Sequence, residues 1–241
     1  MQTAHTDIRQ KHMAVRTHAL DFWMARAAVL VVAGLQFLLV NDFSWGPRWL
    51  APVIELLLLA PLSMATAWVQ TRARQATTDE HFHLVGRSRR LIRRAALGLT
   101  ILITFMNFVA LYFLVRALLG GHAGSAQTLL IDAVNIWVTN VIAFTLWYWS
   151  IDRGGPASRG LTSKTYGDFQ FPQMVIQDER LKDWSPGFID YLFLSFTNAT
   201  AFSPTDTMPL SPRAKLLMMA EASLSLLTIA LVAARAVNIL A

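Results

Sequence analysis

Ala95-Ala-Leu-Gly-Leu-Thr-Ile-Leu-Ile-Thr-Phe-Met-Asn-Phe-Val-Ala-Leu-Tyr-Phe-Leu-Val-Arg-Ala-Leu118 is a run of 24 residues with one charge, Arg116, close to its far end. Hydrocarbon offers backbone N–H and C=O groups no partner, so a stretch of this kind is stable in a bilayer only as a helix that satisfies itself. Its length exceeds the roughly 20 residues that carry a helix across the hydrocarbon core. The same reading extends outward along the chain. Residues 22–40, 49–69, 129–149 and 216–240 form four more apolar runs near that length. The expected fold is an all-α membrane protein with about five transmembrane helices.

Composition agrees. Apolar residues make up 54% of the 241 and charged residues 15%, against roughly 25% charged in an ordinary soluble domain. The charges crowd between the runs. No cysteine is present, which excludes disulfides, thiolate chemistry and cysteine metal sites. The formal charge is +6 and the pI about 10.2. The arginines lie beside apolar runs, where they act as topology signals and headgroup contacts. No basic patch with interleaved aromatics points to nucleic acid. The expected partner is the lipid bilayer.

Residues 1–21 read as a polar cytoplasmic leader, with no small-residue cleavage site after the first apolar run. Residues 22–119 read as a three-helix amino-terminal membrane part, and 126–241 as a second module. Arg26 is placed to snorkel to the interface. Pro61 falls inside the second run, where it should kink the helix. Trp49, Trp68 and the group Trp147, Tyr148 and Trp149 read as interfacial anchors. Between the second and third runs lies a segment read as a basic loop, with Arg72, Arg74, Arg87, Arg89, Arg90, Arg93 and Arg94. Arginine bias puts that segment and the leader in the cytoplasm. Residues 152–187 hold Gly154, Gly155, Pro156, Pro172 and Pro186 and should be mostly irregular. Residues 188–202 are apolar but too short to cross, so a re-entrant half-helix before the last span is expected.

Residues 191–215, from Tyr191-Leu-Phe-Leu-Ser-Phe-Thr-Asn-Ala-Thr200 through Ala201-Phe-Ser-Pro-Thr-Asp206 to Pro209 and Lys215, resemble the pore helix, filter and inner-helix start of two-helix potassium channels. Thr200 and Ala201 fall at the threonine pair of Thr-Val-Gly-Tyr-Gly-Asp, Phe202 at the valine and Asp206 at the aspartate. The likeness covers roughly residues 190–238, with the fourth run as a possible outer helix. Trp147-Tyr-Trp-Ser-Ile-Asp152-Arg153-Gly-Gly-Pro156 and Ala199-Thr-Ala-Phe-Ser-Pro-Thr-Asp-Thr-Met-Pro209 also resemble a family of bacterial integral membrane proteins catalogued as a domain of unknown function. That resemblance implies a multi-pass protein of a bacterial inner membrane with a channel-like carboxyl end. The channel likeness implies a homo-oligomer, a tetramer, passing a cation or small solute. Asn198, Thr200, Ala201, Phe202, Ser203, Pro204, Thr205 and Asp206 would be its filter-like residues.

The chain departs from the potassium pattern at the filter. Glycines there supply backbone conformations that other residues avoid, and rows of carbonyls replace the ion's water. Ser203 and Thr205 stand at those glycine positions, and Pro204 fixes φ and removes an N–H. Selectivity would then rest on side chains of Thr200, Ser203, Thr205 and Asp206. The simpler alternative makes Ser203 to Asp206 a helix-stop turn, with Asp206 or Ser211 capping the last helix. A non-conducting scaffold or sensor that binds anionic lipid or a partner protein is the competing function.

Ionisable groups inside the apolar runs point to function by default, because they are expensive there. Glu55, Asp132, Glu221 and Arg235 qualify. Glu55, Asp132 and Glu221 could each serve a cation or proton relay, or pair with a partner such as Arg235, Asn135 or a backbone group. Asn135 and Asn140 are read as hydrogen-bonding between spans. His81 and His83 alone are a weak metal pattern, and no metal or cofactor is expected. No catalytic set is recognisable, so an enzyme is not expected; a lipid enzyme would need a polar cleft near Asp152, Arg153 and Asp206.

Overall fold

A computed structural model of the chain describes residues 19–38, 49–75, 79–120, 126–155, 167–181, 184–201 and 206–240. Six α-helices make up most of it: α1 Ala19–Phe37, α2 Leu50–Gln75, α3 Asp79–Leu119, α4 Ala126–Ile151, α5 Phe188–Ala201 and α6 Pro212–Leu240. The protein is an all-α fold of the membrane type. Four helices are long and apolar enough to cross a bilayer, over Leu20–Phe37, Leu91–Leu119, Gln127–Gly154 and Pro212–Ala233. The apolar part of α2 is shorter, Pro52–Ala65, and the helix then continues through Arg72 and Arg74. Pro61 sits within that continuous helix.

The segment expected as a basic loop is helical. Arg87, Arg89, Arg90, Arg93 and Arg94 belong to the first part of α3, which is 41 residues long. At 1.5 Å per residue it extends about 61 Å, twice the ~30 Å of hydrocarbon. Arginine is a good helix former, so charge ends the membrane-embedded part without ending the helix. The first helix begins at Ala19, so the last residues assigned to the leader are helical, and Asp21 is buried.

α4 is the axis of the bundle. It packs against α1, α3, α5 and α6, and 72% of its apolar window is buried, against 22% for α6. That position overturns the expectation of an aromatic belt at its end. Tyr148 is fully enclosed, Trp149 meets Phe22 and Phe188 edge-on, and the Trp147 indole N–H donates to Thr104 Oγ1 at 3.0 Å. The later turns of α4 are enclosed and leave no face for the headgroup layer, so its aromatic rings join the core. Arg26 is likewise tied down: its guanidinium lies over Trp23 and donates to the Ser63 carbonyl of α2 at 3.1 Å.

α4 ends abruptly because three successive residues take positive φ: Arg153 (51°), Gly154 (78°) and Gly155 (86°). The Gly155 N–H closes the turn on the Asp152 carbonyl at 2.8 Å. The described residues that follow, from Gly167 on, are largely irregular but anchored. Phe169–Gln170 (β1) pairs antiparallel with Met208–Pro209 (β2). Phe169 and Phe171 are buried and meet Tyr148, Tyr191 and Trp184 edge-on.

α5 and α6 each have a capping group close in sequence, and α5 has one from α1 as well. Asp190 at N3 of α5 reaches back to the Gly187 N–H at 2.7 Å, while Phe188 N–H donates to Asp21 of α1 at 3.1 Å. The carboxylate three residues in is half of a capping box. Ser211 caps α6, its Oγ accepting the Ala214 N–H at 3.2 Å, with Pro212 in the first helical position. Pro there loses nothing, since its N–H would be unpaired anyway. Of the two capping candidates, Asp206 and Ser211, it is Ser211 that caps.

Gly155→Ala tests the turn. A Cβ at this position would lie 2.8 Å from the Ser150 carbonyl oxygen, and φ is +86°. The substitution should destabilise the detergent-solubilised protein by about 1–3 kcal/mol, read as a lower thermal midpoint.

Candidate functional site

Glu221 lies two and a half turns into α6 and is fully buried. Its carboxylate collects three side-chain donors from two other helices. Tyr148 of α4 donates to Oε2 at 2.5 Å, and Asn198 of α5 donates to the same oxygen at 2.7 Å. Ser195 of α5 donates its hydroxyl to Oε1. A buried carboxylate is tolerated when its lone pairs are filled in this way. Asn198 also donates to the Met218 carbonyl at 3.0 Å, and Asn140 of α4 donates to Ser225 Oγ at 2.9 Å. The polar layer thus sews α4, α5 and α6 together in the middle of apolar helices.

The partner expected for Glu221 is corrected here. Arg235 stands fourteen residues further along α6, about 21 Å away; its side chain lies outside the described residues. Asn135 stands five residues before Asn140 on α4, and it is Asn140 whose amide reaches the Glu221 carbonyl at 3.4 Å. Tyr148, Ser195 and Asn198 occupy the carboxylate instead. Asn140 makes the interhelical bond expected of it.

A second cluster closes the end at which α4 stops. Asp152, fully buried, accepts the Asp168 N–H at 2.6 Å, the Phe169 N–H at 3.4 Å and the Tyr191 hydroxyl at 2.5 Å. Asp168 in turn takes the Arg213 guanidinium on both oxygens, at 2.5 and 2.6 Å, and the Ser211 hydroxyl at 2.5 Å. Its carbonyl accepts the Leu210 N–H at 2.8 Å. Two carboxylates therefore hold the lead-in to α5 against the start of α6. Asp152 and Arg153 form no open cleft with Asp206: Asp152 is enclosed, while Asp206 is exposed and accepts the Thr207 hydroxyl at 3.3 Å.

Contacts with α4 fix directions. Ser195 reaches the Val141 carbonyl and Tyr191 reaches Asp152, so α5 runs antiparallel to α4; Asn140 reaches Ser225 and Tyr148 reaches Glu221, so α6 runs antiparallel to α4 as well. α5 and α6 therefore start at the same end of the bundle and run the same way. β1–β2 pairing places residues 208–209 back at that starting end.

Of the filter-like residues, Asn198 is turned inward onto Glu221. Thr200 is exposed and its hydroxyl is spent on the Phe196 carbonyl at 2.8 Å. Ala201 ends α5. Phe202, Ser203, Pro204 and Thr205 lie outside the described residues. Glu55 of α2 is buried and accepts the Gln36 amide of α1 at 2.8 Å, and Asp132 is buried on α4. The side chains of His81 and His83 lie outside the described residues.

No family model, no curated protein and no solved structure matches the chain. The functional reading rests on the residues.

Sequence reasoning passed over Tyr148, Ser195, Asp168 and Tyr191. Hydroxyl and carboxyl groups on facing helices become a cluster only once the helix directions are known. A usable signal was the spacing of Ser195 and Asn198, three apart and so on one helix face.

Tyr148→Phe removes one donor from Glu221 and should cost about 1–2 kcal/mol; Glu221→Leu strands three donors and should cost more. Thermal unfolding of both variants and of Tyr148→Phe/Glu221→Leu checks the coupling: the double variant should lose less than the sum of the singles.

Proposed function

We propose that α4, α5 and α6 form a channel-like module, with α4 as outer helix, α5 as a re-entrant half-helix and α6 as inner helix, and that an oligomer of it passes a cation across a bacterial inner membrane. One observation carries this reading. α5 and α6 run in the same direction from the same end, and residues 206–211 lie at that end. α5 has 14 residues, about 21 Å, which stops short of the ~30 Å hydrocarbon core. A short helix followed by a brief return and a long helix is the layout that the resemblance to two-helix channels implies.

The apolar outer face of the module supports an oligomer. Phe193, Phe196, Leu216, Met219, Leu226 and Leu227 are about half-exposed or more. Four copies placed side by side would cover such a face and bring the return segments to one axis. Asp206 at the mouth and Glu221 at depth supply negative charge of the sign that favours cations. The arginine-rich part of α3 sits at the same end as the mouth, which by the positive-inside rule is cytoplasmic. α2, with its apolar Pro52–Ala65, makes the fifth crossing.

The completeness of the Glu221 cage within one protomer favours a second reading, a non-conducting scaffold. The two separate in one experiment. Full-length protein reconstituted in potassium-loaded liposomes should pass monovalent cations, Asp206→Ala should abolish the flux, and native mass spectrometry should show a tetramer. Wild-type protein that is monomeric and passes neither sodium, potassium nor protons would sink the channel reading.

A further inference from the structure

Apart from α5 and α6, a cavity of about 90 Å³ opens between α1, α2, α3 and α4. Its walls are carbon: Val29 of α1, Leu59 and Leu62 of α2, Leu99 of α3, and Leu146 and Trp149 of α4 among them. Two cations break the pattern, Arg26 and Arg93. No carboxylate lies among the lining residues. Arg26 has its partner in the Ser63 carbonyl. Arg93 Nε is buried and meets no hydrogen-bond acceptor among the described residues. It lies 3.6 Å from where a Cβ on Gly155 would stand, so glycine leaves the space in front of it open.

An N–H of a guanidinium that is buried without an acceptor is costly. A ligand with an oxyanion would relieve it, since the planar guanidinium fork suits phosphate. The level matters too. The lining comes from the first turns of α1, the later apolar turns of α2, the first apolar turns of α3 and the last turn of α4. All lie toward the arginine-rich end of the bundle, where the hydrocarbon gives way to headgroups. Apolar walls with a cation at the rim match one kind of molecule in that layer.

We infer that this cavity is a binding site for an anionic phospholipid of the arginine-rich leaflet, with an acyl chain between α1, α2 and α3 and the phosphate on Arg93. The site shares only α4 with the proposed pore module, since none of its lining residues belongs to α5 or α6. Positive charge in the rim and the lack of a lining acid set the preference for a net-negative lipid over a zwitterionic one.

The test uses the full-length protein in detergent, titrated with phosphatidylglycerol or phosphatidylcholine and followed by native mass spectrometry. Phosphatidylglycerol should be retained more tightly. Arg93→Gln should weaken it about fivefold, the effect of one such charge, while Arg93→Lys keeps most of the preference. Ala96→Phe, which fills the cavity, should weaken it with the arginine intact. Arg94→Gln, an exposed neighbour outside the lining, should change nothing. Equal losses from Arg93→Gln and Arg94→Gln would mean diffuse surface attraction and overturn the site. Full competition by inorganic phosphate, or equal retention of both lipids, would overturn it as well.

Discussion

The carboxylate of Glu221 has to be satisfied where water does not reach, and much of the carboxyl-terminal half follows from how that is done. Three donors from Tyr148, Ser195 and Asn198 meet it. Each comes at a fixed distance and angle, unlike the non-directional contacts of the surrounding leucines. Apolar packing between helices in lipid supplies little preference for one axial offset over another, because lipid tails are as apolar as the side chains. Hydrogen bonds to a buried charge do supply it. The offset of α5 against α6, and of both against α4, is set by this one group.

The end of the bundle works by a related device. Asp152 and Asp168 are acids that accept backbone N–H groups, a tyrosine and an arginine, and so replace the regular secondary structure that the connecting segment lacks. A segment with three prolines and several glycines pairs its own backbone only in short 3-10 turns among the described residues. It is held by buried carboxylates and by Phe169 and Phe171 inserted beneath it. The two-residue ladder between β1 and β2 is too short to be stable alone; it persists because both strands are pinned from outside.

Helix existence was legible in the sequence because the requirement is local: a run of apolar residues in hydrocarbon has one solution. The shortness of the apolar run before the last helix was legible for the same reason, and the cap of that last helix was narrowed to Asp206 or Ser211. Two things were not. Helix ends beside charges were misplaced, because arginine ends solubility in lipid and not helicity, so the arginine segment reads as a loop and is helix. The surroundings of α4 were misjudged because Trp147, Tyr148 and Trp149 look the same at an interface as in a core. Which they are depends on how many neighbours α4 has. The candidate site was half visible: Glu221 and Asn198 stood out singly, but their contact depends on helix direction, which no local pattern carries.

α5 ends at Ala201, level with the middle of α6 and not with its terminus. Peptide dipoles add along a helix to roughly half an elementary charge, negative at the carboxyl end. Most helices in a bundle leave that end in the headgroup layer, where water and ions screen it. Here it stops part-way along α6, between the two ends of the bundle, where screening is weak. The last carbonyls of α5 therefore create a negative potential at mid-depth even with every side chain neutral. A positive ion at that point is attracted by the backbone alone, and a negative one is repelled.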